Sequence, residues 1–478
     1  MPAISHKWKP IQDLQDPASL TDGELTALLE VWKDQRPAIP EDTGVAEFSK
    51  RLAREWAIET GIIERAYTLD RGTTETLIKE GIKASLIPRE STNRDPDELA
   101  AILQDHLDAL DGLFALVKGE RDLSTSYIKE VHGVLLRHVK THRVRDAAGN
   151  FFDTELVKGT YKTQPNSPTR PDGSMHEFCP PEHTASEMDR LIELYREHQL
   201  KDIPVEVEAA WLHHAFTQIH PFSDGNGRVA RILASLVFIK RGGFPLLIRR
   251  EDNVSYIDAL ERADEDDLKP LVRVFVEAQR RAAFGALQAL PTLILAPMDE
   301  PKSPEDVIAD IRGLLVNRGE AAPKAWDTTG QILQQLSARA HERLNRILTS
   351  LLMEVGSAKP LFSFSLHADN GIMPAVATAA RIYGYSIGSH LHSTRALDLY
   401  VDEKKSQIHV SLHSVGPRYV GVAAGLIFFT EPSNSFVSTV ENFFQVNYKD
   451  NPAEAEKRFT TWFEQGLTRA LSMWREQL

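Results

Sequence analysis

Apolar residues recur at i, i+3 and i+4 through most of the first 289 positions, which predicts a mainly helical chain. The predicted helices cover 22–34, 95–118, 124–139, 182–199, 205–219, 229–240, 254–263 and 268–289, with two more within 45–85 on either side of a break at 61–70. Glycines and prolines interrupt the pattern at 146–180, where they predict turns and short strands. We therefore expect one helical domain at 45–290, after a polar segment at 1–44.

The pattern changes beyond a stretch with four prolines at 291–304, which we interpret as a linker. Helical spacing resumes over 305–354. Apolar runs then predict strands at 396–401, 407–415 and 419–430, with a turn at 403–406 and a last helix at 452–478. The expected fold class is mainly α, with a C-terminal α/β accessory domain at 305–478.

Composition narrows the classes of function. The 478 residues include 55 Lys and Arg against 68 Asp and Glu, and the net charge of −13 does not suit a nonspecific nucleic-acid binder. Cys179 is the only cysteine, so no intrachain disulfide can form; we expect a small packed residue in a reducing cytoplasm. The chain has no hydrophobic stretch typical of a signal peptide and no run of about 18 apolar residues, so we expect no membrane span.

One short segment, His220-Pro-Phe-Ser-Asp-Gly-Asn-Gly-Arg-Val-Ala-Arg231, contains residue types suited to a nucleotide and its metal ion. Gly225 and Gly227 permit positive φ and close approach of a ligand, and consecutive amides in such a turn can form a nest for an anion. Because the helix predicted at 229–240 follows at once, the turn lies at a helix N-terminus, which favours phosphate.

The charged residues of the segment fit the same ligand. Arg228 and Arg231 lie one helical turn apart, so both guanidinium groups can reach one anion. Asp224 supplies a hard oxygen ligand that suits Mg²⁺, and His220 can accept a proton near neutral pH. Each fragment alone would suit an ordinary turn or a surface ion pair, but together they predict a phosphate-handling active site.

The segment resembles the signature of the Fic family, His-x-Phe-x-(Asp/Glu)-Gly-Asn-Gly-Arg-x-x-Arg, with every fixed position filled. The resemblance implies a helical Fic core that transfers AMP from ATP to a Ser, Thr or Tyr hydroxyl of a target protein. It implies that His220 deprotonates this hydroxyl and that Asp224 holds Mg²⁺. The other implied roles are phosphate binding by Gly225, Asn226 and Gly227, support of the phosphates by Arg228, contact with the γ-phosphate by Arg231 and anchoring of the loop by Phe222.

Fic domains also carry a β-hairpin, the flap, which pins the target segment by strand addition. Positions 158–181 resemble this flap, from Gly159-Thr-Tyr-Lys at its start to Pro180-Pro181 at its end. Met175 and His176 are candidates for contact with the target. Tyr256 lies where Fic domains often place an aromatic residue near the adenine.

Many Fic proteins restrain themselves with a helix that carries (Ser/Thr)-x-x-x-Glu-(Gly/Asn), whose glutamate pairs with the second arginine of the signature. The stretch Trp56-Ala-Ile-Glu-Thr-Gly61 resembles this motif and assigns the inhibitory glutamate to Glu59. It departs from the motif at Glu55, where Ser or Thr is expected, and at Thr60, because the glycine comes one place late. A carboxylate on Arg231 would remove the donor that the γ-phosphate needs.

The expected function is thus a protein adenylyltransferase that uses ATP and Mg²⁺, acts on a hydroxyl of a target protein and is restrained by Glu59. Removal of AMP, another nucleotide donor and a nonenzymatic nucleotide sensor stay open as alternatives, and so does a homodimer. Neither a nucleic acid nor a membrane is expected as a partner.

Overall fold

The computed structural model describes residues 4–35, 44–118, 122–145, 151–168, 174–289, 323–355, 362–369, 371–401, 404–416, 420–431 and 437–478. The helices are α1 (Gly23–Gln35), α2 (Gly44–Ile63), α3 (Arg71–Glu80), α4 (Pro96–Lys118), α5 (Thr125–Leu135), α6 (Pro181–Gln199), α7 (Val205–Ile219), α8 (Asn226–Lys240), α9 (Asn253–Asp264), α10 (Lys269–Ala289), α11 (Pro323–Ser350), α12 (Met373–Ile382) and α13 (Pro452–Arg475). The strands are β1 (Ile4–His6), β2 (Thr141–Arg145), β3 (Phe151–Glu155), β4 (Met175–His176), β5 (Phe362–His367), β6 (Ile387–Val401), β7 (Lys404–Val415), β8 (Val422–Thr430), β9 (Val437–Thr439) and β10 (Phe444–Asn447).

The chain divides into two compact units. The first consists of Met1–Gly23 and Ala46–Ala282, and the second of Glu24–Val45 and Ala283–Leu478. This division differs from the expected one, because α1 belongs to the second unit instead of a separate polar segment, and because the division falls inside α10. The linker expected at 291–304 lies outside the described residues.

The first unit is built around α7 and α8, which pack against each other. The helices α4 and α5 contact α8, and α6 and α9 contact α7. The apolar side chains of α8 are spread around the whole helix, so most of its residues are buried, including both Arg228 and Arg231. A helix enclosed on all sides holds its first turn in a fixed position, and this first turn belongs to the signature segment.

Two short β-elements accompany these helices. The strands β2 and β3 form an antiparallel hairpin, whereas β4 pairs in parallel with β1, placing His6 opposite His176. On the other side of β4, the amide of His176 donates to the carbonyl oxygen of Pro168 at 3.1 Å, so these residues lie on facing arms of a hairpin. This hairpin corresponds to the predicted flap, whose positions 169–173 lie outside the described residues.

The second unit contains a six-stranded antiparallel sheet among its described residues, in the order β10-β8-β7-β6-β5, with β9 also paired to β8. Alternation along β7 directs Ile408, Val410 and Leu412 into a core shared with Leu336 of α11 and Phe459 of α13. The predicted α/β character of the C-terminal part is therefore confirmed, as helices packed on an antiparallel sheet.

The predicted helices agree with the structure most closely where apolar spacing is strong. The helix predicted at 205–219 coincides with α7, and the break at 61–70 separates α2 from α3. The start of α8 lies three residues before the predicted one, since the glycine turn itself forms the first helical turn. The turn expected at 403–406 is wrong over Lys404–Ser406, which belong to β7. In the described ranges, every helix is too short or too polar to cross a membrane.

Candidate active site

The segment 220–231 joins the two central helices through two left-handed residues. His220 follows the last residue of α7 with φ 50° and ψ 57°, a conformation that few non-glycine residues adopt. Gly225 turns the chain again with φ 81°, and α8 begins at Asn226. The N–H groups in the first turn of α8 lack intrahelical acceptors, and the helix dipole adds partial positive charge there. The loop thus ends at a place suited to an anion.

The loop is fixed from inside by Phe222 and Asn226. Phe222 is fully buried, and its amide donates to Asn226 Oδ1 at 2.9 Å. Asn226 Nδ2 in turn donates to the Phe222 carbonyl oxygen at 2.7 Å. The Asn226 side chain therefore shapes the loop. The phosphate contact predicted for this residue would have to come from its backbone N–H. The anchoring role predicted for Phe222 agrees with this packing.

His132 of α5 also holds the loop, a role that sequence reasoning missed. Its Nε2 lies 3.0 Å from the carbonyl oxygen of Asp224, and its Nδ1 accepts from the Gly159 amide at 2.8 Å. This arrangement requires the neutral tautomer with the proton on Nε2. Burial lowers the pKa of His132 to about 4, which agrees with a neutral ring. Its ring also stacks on Phe222, with centroids 3.8 Å apart.

Two residues at the start of the flap fasten the same loop. The Lys162 amide donates to the Pro221 carbonyl oxygen at 2.8 Å. Asn166 Nδ2 donates to the carbonyl oxygens of His220 at 3.1 Å and Phe222 at 2.7 Å. The Lys162 side chain reaches Asn166 Oδ1 at 2.8 Å, and its burial lowers the pKa of its amine to about 8. The flap and the signature segment therefore form one hydrogen-bonded structure.

His220 is held with one nitrogen available as a base. Its Nδ1 lies 3.2 Å from the carbonyl oxygen of Thr217, which can only accept, so Nδ1 carries the proton and Nε2 is the basic nitrogen. The ring stacks on Phe178 of the flap, with centroids 3.7 Å apart and planes 6° apart. Burial lowers the pKa of His220 to about 3, and the nearby charge of Lys162 acts in the same direction. The ring is thus neutral at pH 7.

Asp224 and Arg228 lie together beside the first turn of α8. Asp224 Oδ1 accepts from the Gly225 amide at 2.6 Å and lies 3.3 Å from Arg228 Nη2. Burial alone would raise the pKa of Asp224, but the charge of Arg228 and the Gly225 amide lower it below its usual value. Arg228 is buried, and within the described part of the chain no hydrogen-bond partner meets its Nε or Nη1. A buried guanidinium with open donors fits an anion that is not part of the chain.

Arg231 is enclosed by the end of α2. Its Nε donates to Thr60 Oγ1 at 2.9 Å, and its Nη2 donates to the Thr60 carbonyl oxygen at 2.8 Å. Its Nη1 donates to Glu64 Oε1 at 2.8 Å, and the arginine is 1% exposed. The same Glu64 carboxylate lies directly against Gly227, so close that a β-carbon at this position would collide with it. A carboxylate therefore lies at the anion position of the α8 N-terminus.

The expected pairing of Glu59 with Arg231 is wrong. Glu59 faces another arginine: its Oε1 lies 2.6 Å from Arg250 Nη2, and its Oε2 accepts from the Arg250 amide at 2.9 Å. Glu64 lies five residues later on the chain, and helical geometry brings this carboxylate, and not that of Glu59, to the start of α8.

The sequence also contains a second alignment of the motif, which ends at Glu64. Thr60-Gly-Ile-Ile-Glu64 fits (Ser/Thr)-x-x-x-Glu without the mismatch at Glu55, and Arg65 follows in place of Gly or Asn. Arg65 has φ 54°, the left-handed conformation that Gly and Asn adopt most easily. An arginine at this position conceals the motif while keeping the backbone turn that follows the glutamate.

The remaining predicted residues occupy different surroundings. Tyr256 is buried, and its hydroxyl lies 2.8 Å from His213 Nε2 and 3.5 Å from Arg231 Nη1. Its contact with adenine stays a prediction. His176 is buried beside the first strand, at a ring centroid distance of 4.8 Å from Phe178. Cys179 is buried, as expected, and burial raises the pKa of its thiol to about 11.

Comparison with known proteins shows a similarity to one family over part of the chain. Residues 122–238 match the profile of the Fic/DOC family. The protein adenylyltransferase fic-1 of Caenorhabditis elegans is 32% identical over 264 residues, which cover 54% of this chain and 47% of that protein. A Fido domain-containing protein of Dictyostelium discoideum is 47% identical over 90 residues, covering 18% of this chain and 62% of that protein.

Solved structures give a similar comparison. A Fic domain-containing signaling protein from Bacteroides thetaiotaomicron is 25% identical, with a TM-score of 0.46 over 56% of this chain and 96% of that one. A fragment of C. elegans fic-1 is 21% identical, with a TM-score of 0.42 over 56% of this chain and 72% of that one. The chain spans about half the length of the curated fic-1 protein that it matches.

Proposed function

We propose that the Fic/DOC domain at residues 122–238 makes this protein an adenylyltransferase, which transfers AMP from ATP to a hydroxyl group of a target protein. The observation that carries the proposal is the convergence on one loop of a neutral His220, the N-terminal amides of α8 and the buried Arg228. A base beside a phosphate site is what nucleotidyl transfer to a hydroxyl needs.

The reaction follows from this arrangement. His220 Nε2 takes the proton of the target hydroxyl, and the oxygen attacks the α-phosphorus of ATP in line with the bond to the β-phosphate. The new P–O bond joins AMP to the target, the bond to the β-phosphate breaks and pyrophosphate leaves. Amides at the start of α8 and Arg228 stabilise the charge that moves onto the phosphate oxygens.

Asp224 is the residue that we assign to Mg²⁺. Its carboxylate is ionised and partly exposed, it lies beside the anion position, and carboxylate oxygen is a ligand that this ion prefers. When bound, the ion would neutralise part of the phosphate charge. His220, Asn226 and the α8 amides would position the loop and the nucleotide whichever ion is present.

We further propose that Glu64, and not Glu59, restrains the activity. The Glu64 carboxylate occupies Arg231 and lies against Gly227, where a phosphate oxygen would otherwise bind. Like charges in one place repel, so the carboxylate opposes productive binding of the triphosphate. Its side chain is 28% exposed, so it can leave without breaking the core.

The target would approach along the flap. An extended peptide can add to a strand edge, and because β4 is paired with β1 and contacts Pro168, such a peptide would displace β1 or add to the arm that ends at Pro168. Phe178 covers one face of the His220 ring in this structure, so the flap lies directly beside the proposed base.

The test is incubation of the full chain with Mg²⁺ and α-labelled ATP, followed by intact-mass measurement of self-modification. Glu64→Gly should gain one or more adenylyl groups, and Glu64→Gly combined with His220→Ala should gain none while still binding ATP. A panel with the other nucleoside triphosphates identifies the donor. Tight ATP binding by Glu64→Gly without transfer or pyrophosphate release would instead favour a nonenzymatic sensor, and loss of AMP from a premodified protein would favour the reverse reaction.

A further inference from the structure

A cluster of two histidines and an aspartate lies on the first unit, apart from the signature segment. His6 comes from β1, His176 from β4 and Asp264 from the end of α9. One side-chain nitrogen or oxygen of each residue lies within 4.8 Å of those of the other two. Three distant parts of the chain thus bring two imidazoles and a carboxylate to one point.

The distances within the cluster are close to those of a metal site. His176 Nε2 lies 3.7 Å from Asp264 Oδ2. Ligands at about 2.0–2.2 Å from a tetrahedral zinc ion are about 3.4 Å from one another. The rings of His6 and His176 are stacked with centroids 4.5 Å apart, so the two side chains would have to rotate out of this stack to direct their nitrogens at a common ion.

The carboxylate of Asp264 is already oriented. Its Oδ1 lies 2.9 Å from His214 Nε2 and is also contacted by Gln218 Nε2, which leaves Oδ2 directed toward His176. Neighbours that fix a ligating carboxylate in this way are typical of metal sites.

We propose that His6, His176 and Asp264 bind one divalent transition-metal ion, with Zn²⁺ as the ion whose ligand preference fits best. Two imidazoles with one carboxylate suit Zn²⁺ and the other late first-row transition metals. They do not suit Mg²⁺ or Ca²⁺, which prefer oxygen ligands. His6 and Asp264 line a cavity of about 260 Å³, which is also lined by Gln218 and Trp211 and has room for a water ligand.

The ion would act as a cross-link between the N-terminal strand and the flap. The strand β1 is joined to β4 through a ladder of two residue pairs, which is short for independent stability. One ligand on each strand and a third on α9 would hold this ladder in place. His176 also contacts the ring of Phe178, the residue that covers His220, so the metal site lies one aromatic contact from the ring over the proposed base.

The experiment measures metal binding directly and needs no enzymatic activity, so its outcome is independent of the proposed function. The untagged full chain is stripped with a chelator, dialysed and titrated with ZnCl₂ by calorimetry, and its metal content is measured by mass spectrometry. A parallel Co²⁺ titration reports coordination through its visible absorption. One ion per chain is expected, with slower hydrogen exchange at residues 4–8 when it is bound.

Variants separate this site from adventitious binding. Loss of a residue that only orients a ligand costs about 10–100-fold in affinity, so His214→Ala should lie in that range, and loss of a ligand in His6→Ala or His176→Ala should cost at least about 100-fold. His341→Ala, which removes an exposed histidine of α11, should bind as the unchanged protein does. Absence of stoichiometric uptake, or equal affinity in the unchanged protein and His6→Ala, overturns the proposal. His6 lies near the chain start, so this variant remains informative if His176→Ala does not fold.

Discussion

Glu64 Oε1 lies 2.8 Å from Arg231 Nη1, on a side chain that also closes over Gly227 at the start of α8. Replacing this glutamate by glycine should free both the guanidinium and the helix N-terminus for a triphosphate. We expect the Kd for ATP with Mg²⁺ to fall by at least about tenfold, which corresponds to about 1.4 kcal/mol. Isothermal titration of the unchanged protein and of Glu64→Gly measures this change.

The matched control is Glu59→Gly, which removes a carboxylate from the same helix but not from Arg231. It should leave the affinity for ATP within about twofold of the unchanged protein, provided that the variant is folded. If Glu59→Gly tightens binding and Glu64→Gly does not, the reassignment of the inhibitory residue is wrong.

The pair of Glu59 and Arg250 should instead support stability. The Glu59 side chain is 5% exposed, and its carboxylate accepts from both the side chain and the amide of Arg250. Glu59→Ala leaves this arginine without its partner, and loss of one member of a buried pair costs about 3 to 5 kcal/mol. Urea unfolding should therefore give a clearly lower free energy for Glu59→Ala than for Glu64→Ala, whose carboxylate is more exposed. Equal stability of the two variants would contradict this assignment.

Sequence reasoning located the signature segment because its residues are contiguous. The offsets between His220, Asp224 and Arg231 define the loop chemistry on their own, and the apolar spacing of α7 and α8 defines the helices that hold it. His132, Lys162 and Asn166 left no such signal, since they reach the loop from elsewhere in the chain by hydrogen bonds to backbone atoms. Supporting residues of this kind are recognised only when the fold brings them together.

The glutamate that contacts Arg231 illustrates a different difficulty. Two glutamates, Glu59 and Glu64, lie near the end of one helix, and the sequence alignment assigns the motif to Glu59 although Gly61 comes one place late. The preference for glycine after the glutamate reflects a left-handed turn, and Arg65 adopts that turn without being glycine. The backbone conformation, which a residue name indicates only indirectly, was the decisive feature.

The stacking of Phe178 on His220 leads to a prediction about protonation. Phe178→Ala should expose the imidazole to water and move the pKa of His220 upward from about 3 toward its ordinary value near 6.5. Its titration can be followed by NMR of the ring proton, assigned by comparison with a His220→Ala spectrum. Phe152→Ala, which removes an exposed ring from β3, serves as the control and should leave the titration unchanged. An unaltered His220 titration in Phe178→Ala would mean that the flap ring does not exclude water.

Arg228 should reduce stability in exchange for nucleotide binding. It is 1% exposed, its Nε and Nη1 meet no partner in the described ranges, and its Nη2 makes one contact of 3.3 Å with Asp224. Replacing a poorly paired buried ion by an apolar side chain of similar volume is often neutral or stabilising by about 1 to 4 kcal/mol. We expect Arg228→Met to unfold at the same or higher urea concentration and to lose the thermal shift given by ATP with Mg²⁺. A destabilisation above about 2 kcal/mol would mean that the guanidinium stabilises the nucleotide-free fold.

His106 provides a prediction for pH. Its ring is fully buried in α4, and its Nδ1 donates to the Ala57 carbonyl oxygen at 2.7 Å. Burial, with a smaller effect from the charge of Arg228, lowers its pKa to about 3, whereas the unfolded chain has a value near 6.5. The folded state therefore keeps this ring neutral while the unfolded state takes up a proton below pH 6.5. Its contribution to stability is complete above that pH and declines as the pH falls toward 3.

The comparison that isolates this group is His106→Gln, which keeps an amide donor for Ala57 but does not titrate. Other histidines and carboxyl groups affect both proteins alike, so the difference in unfolding free energy between them depends on His106 alone. Below pH 6.5 the unfolding free energy of the unchanged protein should fall relative to that of His106→Gln. The expected loss is about 1.4 kcal/mol for each unit by which the pH decreases, because one more proton is bound on unfolding. Urea unfolding at pH 7.5, 6.5, 5.5 and 5.0 measures this difference in free energy. Lower pH values are avoided because the carboxyl groups titrate there. A difference independent of pH would show that His106 takes up a proton in the folded protein as readily as in the unfolded chain, and a difference that shifts the other way would require a charged imidazole inside the helical core.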